Sequence, residues 1–168
     1  MFPAHTLQTA PPAARPAMRT VQSTTGTVPD AVRRLAGSPE LLNGFLAMSA
    51  AFEGCTLDPL AREVVIMTVA VRNDCHVCIA MHTGKLRKLG ASPEIVSALR
   101  AAGSLPDARL EAIRVFTLEL LATAGGVDDA SVTAFTAHGY TERNALEVVF
   151  GIGTYTMSTL ANRLVRAA

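Results

Sequence analysis

From Asp30 onward, apolar residues recur at three- and four-residue spacing in stretches separated by Gly, Pro, Ser and Asp, a pattern that predicts helices and no strands. Gly26 to Asp30 reads as a turn, with Asp30 capping a first short helix over 31–36. Ser38, Pro39 and Glu40 give a start signal of polar cap, proline and acid, so a second helix runs to about Glu53. Asp58 with Pro59 opens the next, and its apolar positions Leu60, Val64, Val65, Met67, Thr68 and Val71 leave almost no polar face. Such a helix belongs at the centre of the fold. A further helix is expected from about Cys75, capped by Asn73 or Asp74, to Lys88, with Gly90 as its stop. Ser92-Pro93-Glu94 starts another, Pro106-Asp107 a longer one to about Ala124, and Asp128 or Asp129 one to Ala137. Thr141 to Asn144 opens the last with a capping-box-like start.

That last helix carries Ala145, Val148, Val149, Ile152, Tyr155, Thr156, Thr159, Leu160 and Leu164 along one broad face, with Gly151 and Gly153 inside it. A glycine in a helix interior costs about 1 kcal/mol relative to alanine, a cost offset where a second helix approaches closely. The stretch therefore reads as a packing surface, and a homo-oligomer assembled through it is expected. A weak internal echo links Ala61-Arg62-Glu63-Val64-Val65 with Ala145-Leu146-Glu147-Val148-Val149. Carried forward, it sets Thr159 and Asn162 where Cys75 and Cys78 stand, as though the same helix pair were built twice.

Residues 1–29 differ from the rest. They hold no acidic residue and carry Pro3, Pro11, Pro12, Pro16 and Pro29 among Ala, Thr and Ser, which predicts an extended arm rather than a helix or a targeting peptide. The arm either is disordered or lies along a neighbouring subunit. Residues 30–168 are then expected to form one all-α bundle, large enough to bury a core. Nearly half of the 168 residues are apolar, yet Trp is absent, so that core must be built from Ala, Val, Leu and Met. A net charge of +1 leaves no electrostatic footprint for nucleic acid. No uncharged apolar run approaches the ~18 residues of a membrane span. A soluble, cytoplasmic protein is the expectation.

The chemistry gathers between Glu63 and His82. Cys75 and Cys78 form a C-x-x-C pair, which without a secretory signal points to redox or metal chemistry rather than a structural staple. Residues three and four apart share a helix face, so Cys75, Cys78 and His82 should align on one side. A thiol in the first turn of a helix meets unsatisfied N–H groups and the dipole, which favour the thiolate, the attacking species. A turn at Arg72-Asn73-Asp74 folds the preceding helix back and sets Glu63 against His82, holding the imidazole as a proton carrier. His76 is a candidate for tuning the thiol, Cys55 reads as buried filler, and His5 and His138 take no role.

The order Glu63, eleven residues, Cys75, two residues, Cys78, three residues, His82 resembles the core motif of the alkylhydroperoxidase D-like proteins of the carboxymuconolactone decarboxylase superfamily. Leu57 to Arg62 and Lys85 to Gly90 resemble the usual flanks of that motif, and more diffuse likeness to the peroxidase-related branch runs from Gly26 to the C-terminus. The resemblance implies a compact all-α bundle and a thiol-dependent peroxidase or disulfide oxidoreductase acting on organic hydroperoxides. It also implies roles: Cys78 is oxidised to a sulfenic acid, Cys75 resolves it to a disulfide, and Glu63 with His82 relays protons. No bound cofactor is implied; an external dithiol or lipoyl-bearing protein would recycle the disulfide, and trimers or hexamers would be the assembly. One departure is Val77, where the family has a histidine before its second cysteine. His76 is one residue away, rotated by ~100° on a helix.

Alternatives of other classes remain at the level of sequence. Cys75, Cys78 and His82 with Glu63 or His76 make a possible zinc ligand set, although no second pair of ligands with structural-zinc spacing follows. A carboxymuconolactone decarboxylase-like lyase has no need of a C-x-x-C pair. A non-catalytic helical scaffold would keep the fold without turnover.

Overall fold

The side chains of Ser38, Asp58, Ser92, Asp107, Asp128 and Thr141 each accept a hydrogen bond from a backbone N–H three residues on, and each marks the start of a helix. Each such cap is worth about 1 kcal/mol. The computed structural model describes residues 2–168, and among them every regular element is helical. The helices are α1 (Arg15–Thr25), α2 (Asp30–Leu35), α3 (Pro39–Glu53), α4 (Pro59–Arg72), α5 (His76–Lys88), α6 (Pro93–Arg100), α7 (Ala108–Thr123), α8 (Asp129–Ala137) and α9 (Glu142–Val165). The all-α expectation holds. Among the described residues no helix is long and apolar enough to cross a membrane.

The apolar run of α4 explains its position. Glu63 through Ala70 are all buried, and α5, α6, α7 and α9 pack around them. The main core joins Val64, Val65, Met67 and Val69 of α4 with Phe52, Leu86, Ile113, Phe116, Phe135, Val148 and Tyr155. On α9, Gly151 lets the helix close down. A Cβ there would lie 2.6 Å from Phe52 Cζ and 3.1 Å from Val65 Cγ1, so only glycine fits against α3 and α4. Gly153 is different: it lies on the exposed side with no neighbour within 4 Å of a Cβ. The two glycines expected to serve one packing surface thus face opposite ways, one into the subunit and one out of it.

Residues 2–29 do not form the extended arm expected of the segment 1–29. A 3-10 turn at Pro12–Ala14 leads into α1, and Ala10, Ala14 and Met18 are buried with Leu35, Ala36, Leu42 and Val165 in a second core. The prolines explain the misreading. Pro16 occupies the first turn of α1, where a missing N–H and a fixed φ are no handicap, and Gly26 at φ 80° ends the helix. The segment lies on its own chain, held where Arg33 donates to His5 O and Ala4 O, and Arg34 to Phe2 O. Asp30 is likewise the first residue of α2 rather than its cap, its carboxylate taking Arg34 Nε at 2.7 Å and the Ala168 N–H at 3.1 Å.

The internal echo ends after its first turn of helix. Residues 145–162 form one continuous helix, whereas 61–78 form a helix, a reversal and a second helix. Glu147, the counterpart of Glu63, clips the 55–57 loop to α9. Burial alone would raise its pKa, but donation from the Thr56 N–H and hydroxyl, Asn144 and Arg143 holds the carboxyl down to about 2. A depressed folded pKa stabilises the fold above the unfolded value near 4.5, and that stabilisation is lost as pH falls through about 2. Glu147→Gln is expected to cost roughly 2–3 kcal/mol at neutral pH and to flatten the decline in stability between pH 4.5 and 2. Chemical denaturation across that pH range checks it; parallel curves for the two proteins would refute the assignment.

Candidate active site

The reversal between α4 and α5 is a six-residue device. Asp74 adopts a left-handed conformation at φ 51°, its N–H donates to Val71 O, and the Cys75 N–H donates to Ala70 O, both at 3.0 Å. This is the Schellman arrangement, which satisfies the last carbonyls of α4 and turns the chain back. Asn73 and Asp74 therefore finish α4 and do not cap α5. Cys75 takes the cap position in extended backbone, and α5 begins at His76, one residue later than the spacing suggested. Cys78 consequently occupies the third position of α5, among the N–H groups that lack a partner within the helix.

The reversal brings Glu63 and His82 together as the sequence predicted. His82 Nδ1–H donates to Glu63 Oε2 at 2.6 Å, with the two residues 1% and 6% exposed. Neither Arg62 nor Arg72 pairs with Glu63; Lys85 Nζ stands 3.9 Å from its other oxygen and 3.2 Å from Glu53. Glu63 and Lys85 line a cavity of about 360 Å³ with Glu53, Arg62 and Lys88, which gives the buried carboxylate a polar route outward. The imidazole is oriented from its other side by Tyr155, whose ring meets it edge-on at 5.5 Å. Phe45 and Phe52 hold that tyrosine in turn, and its hydroxyl is hydrogen-bonded to Ser49 at 3.2 Å. Burial pushes the Tyr155 phenol up to about 12, so it stays protonated.

Cys75 and Cys78 are both buried and are joined as a disulfide, their Cα atoms 5.3 Å apart. Cys75 lines a cavity of about 230 Å³ with His76, Val77, Asn162, Arg163 and Arg166, and Cys78 is not among the lining residues. Asn162 Nδ2 donates to Cys78 Sγ at 3.4 Å. His76 points outward, 87% of its side chain exposed and 3.7 Å from Asp74, so it joins the rim rather than the sulfur pair. Cys55 stands apart, packed against the core with burial pushing its thiol up, consistent with filler. Among the described residues no three His, Cys, Asp or Glu side chains converge to hold a metal ion.

Tyr155 and Asn162 went unassigned in the sequence because α9 read as packing surface. The available signal was polarity at core spacing: Tyr155, Thr159 and Asn162 share the buried face of α9. The chain's fold has counterparts. Residues 39–117 match the carboxymuconolactone decarboxylase family. The fold is similar to that of the alkylhydroperoxidase AhpD core of a peroxidase-related protein from Ralstonia eutropha JMP134, with a TM-score of 0.87 at 22% identity over 99% of this chain and 90% of that one. A peroxidase-related protein from Silicibacter sp. TM1040 gives 0.81 at 22% identity over 99% and 88%. The debrominase Bmp8 gives 0.74 at 14% identity over 94% and 86%. A Cys-to-Ala form of Bmp8 in complex with 2,3,4-tribromopyrrole gives 0.71, also at 14% identity, over 94% and 85%. No curated protein sequence matches the chain.

Proposed function

We propose that this protein, an alkylhydroperoxidase D-like chain of the carboxymuconolactone decarboxylase superfamily, is a thiol-dependent peroxidase that reduces organic hydroperoxides through Cys78 and Cys75. The observation that carries the reading is the cysteine pair at the head of α5, the helix that also bears His82, whose buried partner Glu63 stands on α4. In the reduced protein the Cys78 thiolate attacks the terminal oxygen of the hydroperoxide. An S–O bond forms, the O–O bond breaks, sulfur gives up two electrons, and the departing alkoxide takes a proton passed by His82. The Cys75 thiolate then attacks Cys78, closing the S–S bond and releasing hydroxide, which leaves as water once protonated. An external dithiol or lipoyl-bearing protein returns the two electrons by attacking Cys75, the cysteine that lines the cavity, and Cys78 leaves as thiolate. This cycle suits a reducing compartment such as the cytoplasm.

The test is a titration of the reduced protein with cumene hydroperoxide, followed by intact mass before and after alkylation. Consumption of one equivalent with loss of two alkylatable thiols is expected. Peroxide left unconsumed, with all three thiols still alkylated, would end the reading.

Assembly through α9 belongs to the same proposal, with a second copy of the chain as partner. Leu146, Val149, Leu160 and Leu164 are exposed along the face that carries Gly153. A contiguous exposed apolar stripe of this kind marks a candidate interaction surface. Gly153→Leu is expected to shift light-scattering mass toward monomer, since a bulky side chain overpacks a close helix contact. On a free surface the same change is harmless or mildly stabilising, by up to ~1 kcal/mol. A monomer mass for the unaltered protein at micromolar concentration would remove the assembly.

A further inference from the structure

Asn162 approaches the cysteine pair from α9, outside the α4–α5 unit that carries the recognised motif, and is 9% exposed. Its Nδ2 lies 3.4 Å from Cys78 Sγ. A disulfide sulfur has no proton to donate, so the amide must present its N–H to sulfur, and this fixes which end points where. The other end, Oδ1, is buried and has no hydrogen-bond partner among the described residues. Folded proteins leave few such acceptors unpaired, and an amide kept for structure would use both of its ends. The residue also lines, together with Cys75, the cavity beside the disulfide.

We propose that Asn162 is a further catalytic residue of the thiol-peroxidase cycle, with Nδ2–H stabilising the Cys78 thiolate and Oδ1 accepting the O–H of the incoming hydroperoxide. The inference rests on the peroxidase reading given above. Its chemistry follows from the placement of the two ends. The oxygen attacked by sulfur is the one that bears hydrogen, so an acceptor beside Cys78 holds that terminal oxygen near the sulfur. As the S–O bond forms and the O–O bond breaks, the hydrogen stays with its oxygen and becomes the sulfenic hydroxyl. The alkoxide leaves on the other side and takes its proton from the His82–Glu63 pair. The two proton-handling groups are thus divided: Asn162 keeps hold of the hydroxyl that remains on sulfur, and His82 serves the oxygen that departs. Val77 and the outward-turned His76 offer neither function.

The experiment compares the full chain with Asn162→Leu and Asn162→Asp, each in the Cys75→Ser background and fully reduced. Peptide-resolved alkylation of Cys78 by iodoacetamide against pH gives its apparent pKa, and dimedone trapping after cumene hydroperoxide gives the rate of sulfenic acid formation. Asn162→Leu is expected to raise the Cys78 pKa by about one unit and to slow oxidation at neutral pH by ~10-fold or more, with the fold intact by circular dichroism. Asn162→Asp is expected to raise the pKa further, because a carboxylate then faces the thiolate. Asn162→Ser, too short to reach sulfur, repeats the Leu result should Leu fail to fold. A folded Leu or Ser variant whose Cys78 titrates and oxidises like the parent overturns the assignment. Failure of the parent to form any sulfenic acid removes the peroxidase reading instead, while the alkylation profile still judges the Nδ2 contact.

Discussion

Cys78→Ser is expected to abolish consumption of cumene hydroperoxide, whereas Cys75→Ser is expected to consume one equivalent and stop at a sulfenic acid on Cys78. The asymmetry follows from position. Cys78 stands in the first turn of α5, where partnerless N–H groups and the helix dipole favour the anion, and it receives the Asn162 N–H. Cys75 is in extended backbone at the cap, outside the helix, and lines the cavity. A resolving thiol is needed only after the first attack, so its loss leaves that attack intact and blocks the closure to a disulfide. Dimedone labelling followed by peptide mass reads the outcome. Equal single-equivalent consumption by both variants would show that the roles are wrongly divided.

His82→Ala and Glu63→Gln are each expected to lower the second-order rate of Cys78 oxidation by ~10²-fold or more, the usual scale of general acid–base help. On the proposed mechanism the alkoxide leaving group needs a proton as the O–O bond breaks, and the buried pair would supply it from a fixed direction. The two variants should differ in stability. Glu63→Gln keeps an acceptor for the His82 Nδ1–H, but His82→Ala leaves a buried carboxylate with Lys85 at 3.9 Å as its nearest cation, a loss of a kind that costs about 3 kcal/mol or more. Rates measured from pH 5 to 9 well below each melting temperature separate the effects. An unaltered rate at every pH in a folded variant would take that residue out of the mechanism.

The parts of the fold that could be read from the chain are those where local chemistry decides. Ser38, Asp58, Ser92, Asp107 and Thr141 announce helices because their side chains compete for nearby N–H groups whatever the tertiary context. The Glu63–His82 contact was legible for a related reason: both residues belong to one helix reversal, and a reversal of that length allows few geometries. What stayed hidden needed partners distant in sequence. Proline signals in residues 11–16 look alike whether they break a helix or begin one, and the difference lies in Met18 meeting Leu42 and Val165. Gly151 and Gly153 look equivalent until Phe52 is seen against one of them. Asn162 is an ordinary polar residue until Cys78, 84 positions earlier, is placed beside it.

That separation of 84 positions also has a consequence for the nascent chain. At about 5–20 residues per second, roughly 4–17 seconds pass between the synthesis of Cys78 and that of Asn162. During that interval Cys78 lacks its neighbour Asn162, and Cys55, Cys75 and Cys78 are thiols on a chain still without α9. Ribosome-stalled chains ending before α9 should therefore react with maleimide at all three cysteines, whereas chains long enough to dock α9 should be protected at Cys78. The cysteine pair is thus synthesised before the helix that brings Asn162 to Cys78.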